Sequence, residues 1–508
     1  MPEPEQPERV PRWSLLLFAL LPWLLPACFA SRPEHARSLH LDPPVTVSSS
    51  DPLPPVEPIP EVAAALRETP PSRLSLEEAV AFALQNNPRL RAALANIDRA
   101  RGQEQAAFAP FLPQFDLFNR YVATSPALSP GAPGPTGGLL TDGPGPYSAW
   151  QTELQLQWTL YDFGRTGSRY QQAVLRAQIA GWQAERARQT VAYDAATAFL
   201  QGLHAAALRT IARDAVRQAE AVLNDTRQRR AAGVAERDDV PRGEVQRAEM
   251  EDSLVRAEET ELAALARLNN VLGRDASLPL ELLDAAAPPR FERTLADCLE
   301  RAVASRPEVA AARDRIAVAQ FGRQAARGEF LPRVSWRASL GHASGDEIRN
   351  GWQRGTAIHI DMPLYHGGTH VGELRAAEAD IRQAAAEAQV ILDSISLEVT
   401  LAYRAVVSAR ARSKLARPAV VQSRETLRIV RNRYRNGTAT PTDVIDAETA
   451  RTRAEQRLVS ASIDFRSALA RLAYAIGCAP DELVEPDADG DPEAPEQLPP
   501  PRQLPEGG

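Results

Sequence analysis

A chain of 508 residues with a formal net charge of -7 gives no basis for nucleic-acid binding. Its mean hydropathy is -0.31, and no apolar run of about 18 residues follows residue 30, so a bundle of membrane-spanning helices is excluded. Three cysteines in so long a chain exclude a disulfide framework, and neither Cys298 nor Cys478 is assigned a role.

The chain opens with a secretion signal over residues 1–30. Arg9 and Arg12 precede an apolar run from Trp13 to Leu25, and small residues follow. Leu25-Pro26-Ala27-Cys28 resembles a bacterial lipobox, which makes Cys28 the expected lipidated terminus; cleavage after Ala30 is the alternative that leaves no lipid. Residues 31–70 are rich in Pro and Ser, lack periodicity, and read as a tether.

Folded elements begin at Leu74. Ser75, followed by Glu78, predicts a capping box at the start of a short helix, and Asn86-Asn87-Pro88 ends it. A second helix is predicted from Arg89 to Ala107, broken at Phe111-Leu112-Pro113. The period then falls to two. Gln114–Phe118 and Thr152–Trp158 alternate polar with apolar, which predicts strands with one apolar face, separated by a Pro/Gly-rich loop. After Gly164, helix formers run to Gly233, enough for a helix roughly 100 Å long. A return helix is predicted from Asp238 to Leu272, where apolar spacing of threes and fours indicates coiled-coil packing. Pro241-Arg242, just past the turn, are expected to stiffen or kink its start.

The same order then recurs. Pro307, Phe330-Leu331-Pro332, Leu364-Tyr365, Gly437, Asp443-Val444 and Ile476-Gly477 answer Pro88, Phe111-Leu112-Pro113, Leu160-Tyr161, Gly233, Asp239-Val240 and Leu272-Gly273. The second copy supplies strands at Arg333–Arg337 and Ala357–Met362 and a return helix from Thr442 to Ile476. This is an internal duplication, residues 71–285 and 286–478, interrupted by one loop insertion. Residues 479–508, rich in Pro, Asp and Glu, read as a disordered tail.

One chain offers four strands of membrane-spanning length. Lipid does not tolerate open sheet edges, and four strands cannot close around an interior, so the chain is expected to oligomerise through its strands. The fold class is mainly α with a small β part. Three copies would give a 12-stranded barrel continued by an α-helical barrel. Trp150, Trp158, Trp336 and Trp352 fall where an interfacial aromatic belt is expected.

At Arg433-Tyr434-Arg435-Asn436-Gly437-Thr438-Ala439-Thr440-Pro441-Thr442-Asp443-Val444-Ile445-Asp446-Ala447 the sequence resembles the outer membrane efflux protein (TolC) family, in its lipoprotein branch. The resemblance covers residues 74–477. It implies a homotrimer in the outer membrane that reaches into the periplasm and docks on a periplasmic adaptor and an inner-membrane transporter. The duct is passive, with no cofactor, and the transporter supplies the energy. By the same resemblance, Asp443 and Asp446 line the narrow periplasmic entrance, Tyr434 helps to hold it closed, and Asp239 takes part in constraining links. Ala439 departs from the family pattern, in which an Arg makes the link between hairpins. Gly233, Gly437, Thr438 and Pro441 shape the hairpin tips that the adaptor grips. Both glycines sit where a tight turn between antiparallel helices needs a positive φ.

His366 and His370 have the spacing of two metal ligands, but Gly367-Gly368 intervene and no third ligand is near, so no metal site is expected. No nucleophile triad or phosphate loop is present, and no enzyme is expected. Within the duct class, family analogy favours a proton-driven exporter of small molecules or metal ions over an ATP-driven secretion system. From another class, a lipid-anchored coiled-coil spacer remains, against which the period-two segments argue.

Overall fold

The computed structural model of the protein describes residues 73–124, 147–233, 236–284, 291–345 and 351–478. The signal, Cys28, the tether, the acidic tail and the Pro/Gly loop before Tyr147 lie outside the described residues.

In chain order the elements are β1 (Arg73–Leu74), α1 (Leu76–Asn86), α2 (Pro88–Phe108), β2 (Gln114–Thr124), β3 (Tyr147–Tyr161), α3 (Arg165–Ala231), α4 (Asp239–Val271), β4 (Glu281–Leu282), α5 (Leu295–Ser305), α6 (Pro307–Gly328), β5 (Arg333–Gly345), β6 (Gly351–Asp361), α7 (Thr369–Arg435) and α8 (Pro441–Ile476). The capping box expected at Ser75 is present: Glu78 N donates to Ser75 Oγ at 3.3 Å, and Ser75 N donates to Glu78 Oε2 at 2.8 Å. Thr294 and Asp297 repeat it at α5. α3 and α7 each run 67 residues, roughly 100 Å of helix. Each packs on its return helix, and α3 also lies against α2, α6 and α8. Pro241 falls in the first turn of α4, where its missing N–H has no intrahelical acceptor, so α4 runs unbroken.

Two apolar cores lie where the short helices lean on the long ones. The first gathers Leu74, Ala79, Ala83, Leu90, Val191, Phe199, Leu268 and Leu272. The second gathers Cys298, Ala302, Val399, Val406, Leu472 and Ile476. Ala195, Ala402 and Ala475 are fully buried, and such small side chains let the helices approach closely. The parallel pair of β1 with β4 left no periodicity in the sequence, because each strand has only two residues.

The break between each pair of short helices is pinned to the end of a return helix. Asn87 accepts from Arg89 N at 2.8 Å and donates through Nδ2 to Val271 O at 2.7 Å. Gly273, at φ +73, passes so close that a Cβ would lie 2.8 Å from Asn86 O. In the second half Arg306 takes the place of Asn87. Its guanidinium is 4% exposed, donates to Ala475 O at 3.2 Å, and pairs with Glu308 at 2.8 Å and Glu398 at 2.6 Å. Arg186 of α3 joins at 2.7 Å from Glu308, with its guanidinium 3.7 Å from the Tyr474 ring centroid. One polar knot therefore ties α3, α6, α7 and α8.

The other sheet is antiparallel, in the order β2-β3-β5-β6. Alternation places Phe115, Leu117, Tyr121, Trp150, Leu154, Trp158, Trp336, Leu340, Trp352, Ile358 and Ile360 on one face. Many stand in the open: Leu117 is 70%, Trp352 73% and Ile360 68% exposed. Asp116, Arg120, Gln151, Glu153, Gln155, Gln157, Arg337, Ser339, Gln353 and His359 share the opposite face. A bulge at Leu160 shifts the register, so that Tyr161 pairs with Val334.

Burial drives the Glu308 carboxyl up, but hydrogen bonds from Arg306 and the charges of Arg186 and Arg306 outweigh it and hold it below the ordinary value. Its ionised form stabilises the fold at neutral pH, and that contribution disappears as pH falls through the lowered value. Arg306→Met should strand Glu308 and Glu398 near a single guanidinium and cost roughly 3 kcal/mol. Thermal unfolding followed by circular dichroism at pH 7 checks the cost. A transition unchanged from the parent would show that the knot does not hold the helices.

Candidate functional site

The candidate site lies at the two helix-hairpin tips. α7 runs out through Asn436 to Gly437, at φ +72. Gly437 N donates to Tyr434 O at 3.1 Å and Thr438 N to Arg433 O at 2.9 Å, which satisfies the last carbonyls of the helix. Thr440 then caps α8, with Pro441 at its first position. Thr440 N and Oγ1 both donate to Asp443 Oδ2 at 2.8 Å, and Asp443 N donates back to Thr440 Oγ1 at 3.2 Å. These bonds, first from the backbone and then from the hydroxyl, hold the Asp443 carboxyl below its ordinary value.

The two aspartates of this tip therefore differ. Asp443 is occupied by its own helix end. Asp446, one turn further along the same face, is exposed and has no partner among the described residues.

At the first tip Gly233, at φ +78, reverses the chain and donates to Arg230 O at 3.0 Å. Arg230 Nη1 reaches across the turn to Arg237 O at 2.7 Å, and Asp239 Oδ2 accepts from Glu236 N at 3.0 Å. Arg242 pairs with Asp238 at 2.9 Å. Asp239 closes this turn from within its own hairpin. Val234 and Ala235 lie outside the described residues.

Tyr434 is buried against α3. Its hydroxyl stands 3.5 Å from Thr226 Oγ1, and the Arg229 guanidinium lies 4.0 Å from its ring centroid. Burial is the main reason its phenol sits above the ordinary value. The residue thus fastens the second hairpin to the first. Sequence reasoning missed a second fastening close by. Arg431 of α7 hydrogen-bonds both Gln218 of α3 and Glu448 of α8, and Arg451 flanks Glu448 at 3.7 Å. Their only sequence signal is charge at helical spacing, which solvated faces also show.

The four tryptophans share the apolar face of the sheet in two rows. Trp150 and Trp352 lie toward the loop end, beside Tyr121 and His342, with ring centroids 5.1 Å apart in each pair. Trp158 and Trp336, directly opposite each other, lie toward the helices and donate to Phe111 O at 2.9 Å and Thr356 Oγ1 at 2.8 Å. The His366 and His370 rings sit 5.0 Å apart, with Glu373 at 3.4 Å from His370 Nδ1. Among the described residues no group of three or more metal-binding side chains comes together.

A sheet with one exposed apolar face, carried on helices of this length, defines a membrane channel protein with a long helical extension. The family model for outer membrane efflux proteins matches residues 80–274 and 298–478, and the chain belongs to that family. It is an outer-membrane channel protein of the kind used in efflux or secretion systems, not an enzyme, and the pore-less spacer falls away. It is 28% identical over 428 residues to the outer membrane protein OprJ of Pseudomonas aeruginosa, covering 80% of this chain and 85% of that one. It is 24% identical over 423 residues to the alkaline protease secretion protein AprF of the same organism, covering 80% and 84%. The Campylobacter jejuni CmeC outer membrane channel shares the fold, with a TM-score of 0.69 at 17% identity over 79% of this chain and 85% of that one.

Removing the second cap isolates its effect on the tip. Thr440→Ala should raise amide exchange in the first turn of α8 about fivefold while α7 stays protected. Because the Asp443 carboxyl is held low, the parent tip should loosen in the same way only below the ordinary carboxylate range. Hydrogen exchange read by mass spectrometry checks both.

Proposed function

We propose that three copies of this chain form a passive exit duct across the outer membrane and periplasm. The observation that carries the reading is the four-stranded sheet. It has one exposed apolar face, one polar face, and two edges, β2 and β6, with no partner strand among the described residues. Lipid forbids such edges, and pairing β6 of one copy with β2 of the next closes twelve strands with the polar faces inward. The two tryptophan rows support this placement. Trp150 and Trp158 are separated by about 26 Å of strand, close to the height of an outer-membrane apolar band. The units 71–285 and 286–478 then contribute equally to barrel and tunnel. Cys28 supplies a lipid anchor.

At the far end the tips carrying Gly233, Gly437, Thr438 and Pro441 form the adaptor-docking surface. Three Asp446 carboxylates, with Asp443 and Asp239 behind them, make the entrance attractive to cations. Tyr434 keeps the hairpins together, and Ala439 leaves the entrance without the arginine link. An inner-membrane transporter delivers the cargo; small molecules or metal ions from a proton-driven partner fit the family's description as efflux proteins. The likeness to AprF, at nearly equal coverage, supports a second reading, the outer component of an ATP-driven secretion system.

Crosslinking in cells with mass spectrometry of the captured partners tests both. An adaptor with a proton-driven transporter supports the first, an ATP-driven transporter the second, and a monomer with no partner neither. In planar bilayers Asp446→Asn should lower the preference for potassium over chloride, and an unchanged reversal potential would remove the carboxylate ring.

A further inference from the structure

A recess of about 800 Å³ opens where the sheet meets the helices, between the ends of α2 and α6 and the first turns of α3. Arg165, Arg169, Arg176 and Arg333 line it, with Asp162 and Glu329 the only carboxylates among its lining residues. Thr159 and Arg333, at its rim, belong to the polar face of the sheet. The aromatic cluster of Phe108, Phe111 and Tyr170 packs close by.

The charges do not cancel. Asp162 is occupied as the cap of α3: it accepts from Gly164 N at 3.2 Å, Thr166 N at 2.7 Å and Thr166 Oγ1 at 2.5 Å. Glu329 is shared between Arg165 at 3.2 Å and Arg169 at 2.8 Å. Arg165 is also held by Gly328 O at 2.8 Å and by Leu331 O, so its role is to join α3 to the turn before β5. Two guanidiniums remain that neither carboxylate lining the recess neutralises. Among the described residues Arg176 meets only the uncharged Gln172, at 3.1 Å, and Arg333 stands 3.9 Å from Asp361 on the neighbouring strand. Both present planar forks that match the paired oxygens of phosphate or carboxylate.

We propose that this recess binds a multivalent oxyanion, of phosphate or polycarboxylate class, reached from the polar side of the sheet. The inference rests on the reading of the chain as a pore with that side inward. It gives the duct two zones of opposite sign, carboxylates at the tips and guanidiniums below the barrel. An anionic solute would pause at the second zone.

The test uses the full-length protein in planar bilayers of neutral phosphatidylcholine, with pyrophosphate as the probe. Pyrophosphate should reduce the single-channel current. In Arg176→Gln/Arg333→Gln the half-blocking concentration should rise about tenfold, through loss of two charge-assisted contacts. Arg176→Lys/Arg333→Lys, which keeps both charges, should stay nearer the parent. Open-channel conductance in each variant shows that it has folded and that the pore exists. Equal block of parent and Gln variant, with conductance intact, overturns the recess but leaves the duct standing. Absence of conductance in every protein overturns the duct and the recess with it. Repeating the experiment with phosphatidylglycerol present separates the sources. Block at the same concentration marks a soluble ligand, whereas weakened block marks a lipid phosphate as the occupant and overturns access from the duct.

Discussion

An unpaired backbone N–H or C=O in hydrocarbon costs several kcal/mol, because no water is there to receive it. That one cost organises this protein. A sheet of four strands with an exposed apolar face has no stable existence in lipid by itself. Its edges, β2 and β6, have no partner strand among the described residues, which is what the proposed pairing between copies would answer. The long helices inherit the arrangement. They follow β3 and β6 in the chain, so the placing of the strands constrains where α3 and α7 begin.

The helices solve a different problem. A helix of 67 residues buries little apolar area per turn and cannot stand alone in water. Here alanine seams bring helices close, and the return helices double each wall. The short helices α1 and α5 act as wedges at mid-height, each with its own apolar core. Where the first half closes its wedge with a neutral amide, Asn87, the second uses a buried guanidinium that reaches α6, α7 and α8. The two halves share a course of elements but not the chemistry that locks it.

Much of this was legible in the sequence because the signals were periodic or conformational. Alternation over Gln114–Phe118 and Thr152–Trp158 marked strands, and the register then set all four tryptophans on the same face. Ser75 with Glu78, and the glycines at 233 and 437, marked helix ends through local geometry that few residues satisfy. What could not be read was long-range. Arg306, Glu398 and Arg186 are far apart in the chain, and nothing in their neighbours distinguishes them from surface charges. Asp443 shows a local feature that also went unread: Thr440, three residues earlier, hydrogen-bonds its carboxylate in a cap. The β1–β4 pair was too short to leave a pattern.

The ion pairs between and along the helices draw on one kind of cation. Among the described residues their cations are arginine throughout, apart from the His370–Glu373 pair, and the sequence has a single lysine, Lys414, which is exposed on α7. Guanidinium groups keep their proton across the range in which proteins are handled. Alkali therefore cannot discharge this framework, whereas acid can, through the carboxylates. The same composition makes it nearly invisible to amine-directed reagents, so its neighbours will be captured through carboxylate or photoactivated chemistry, or through Lys414 alone.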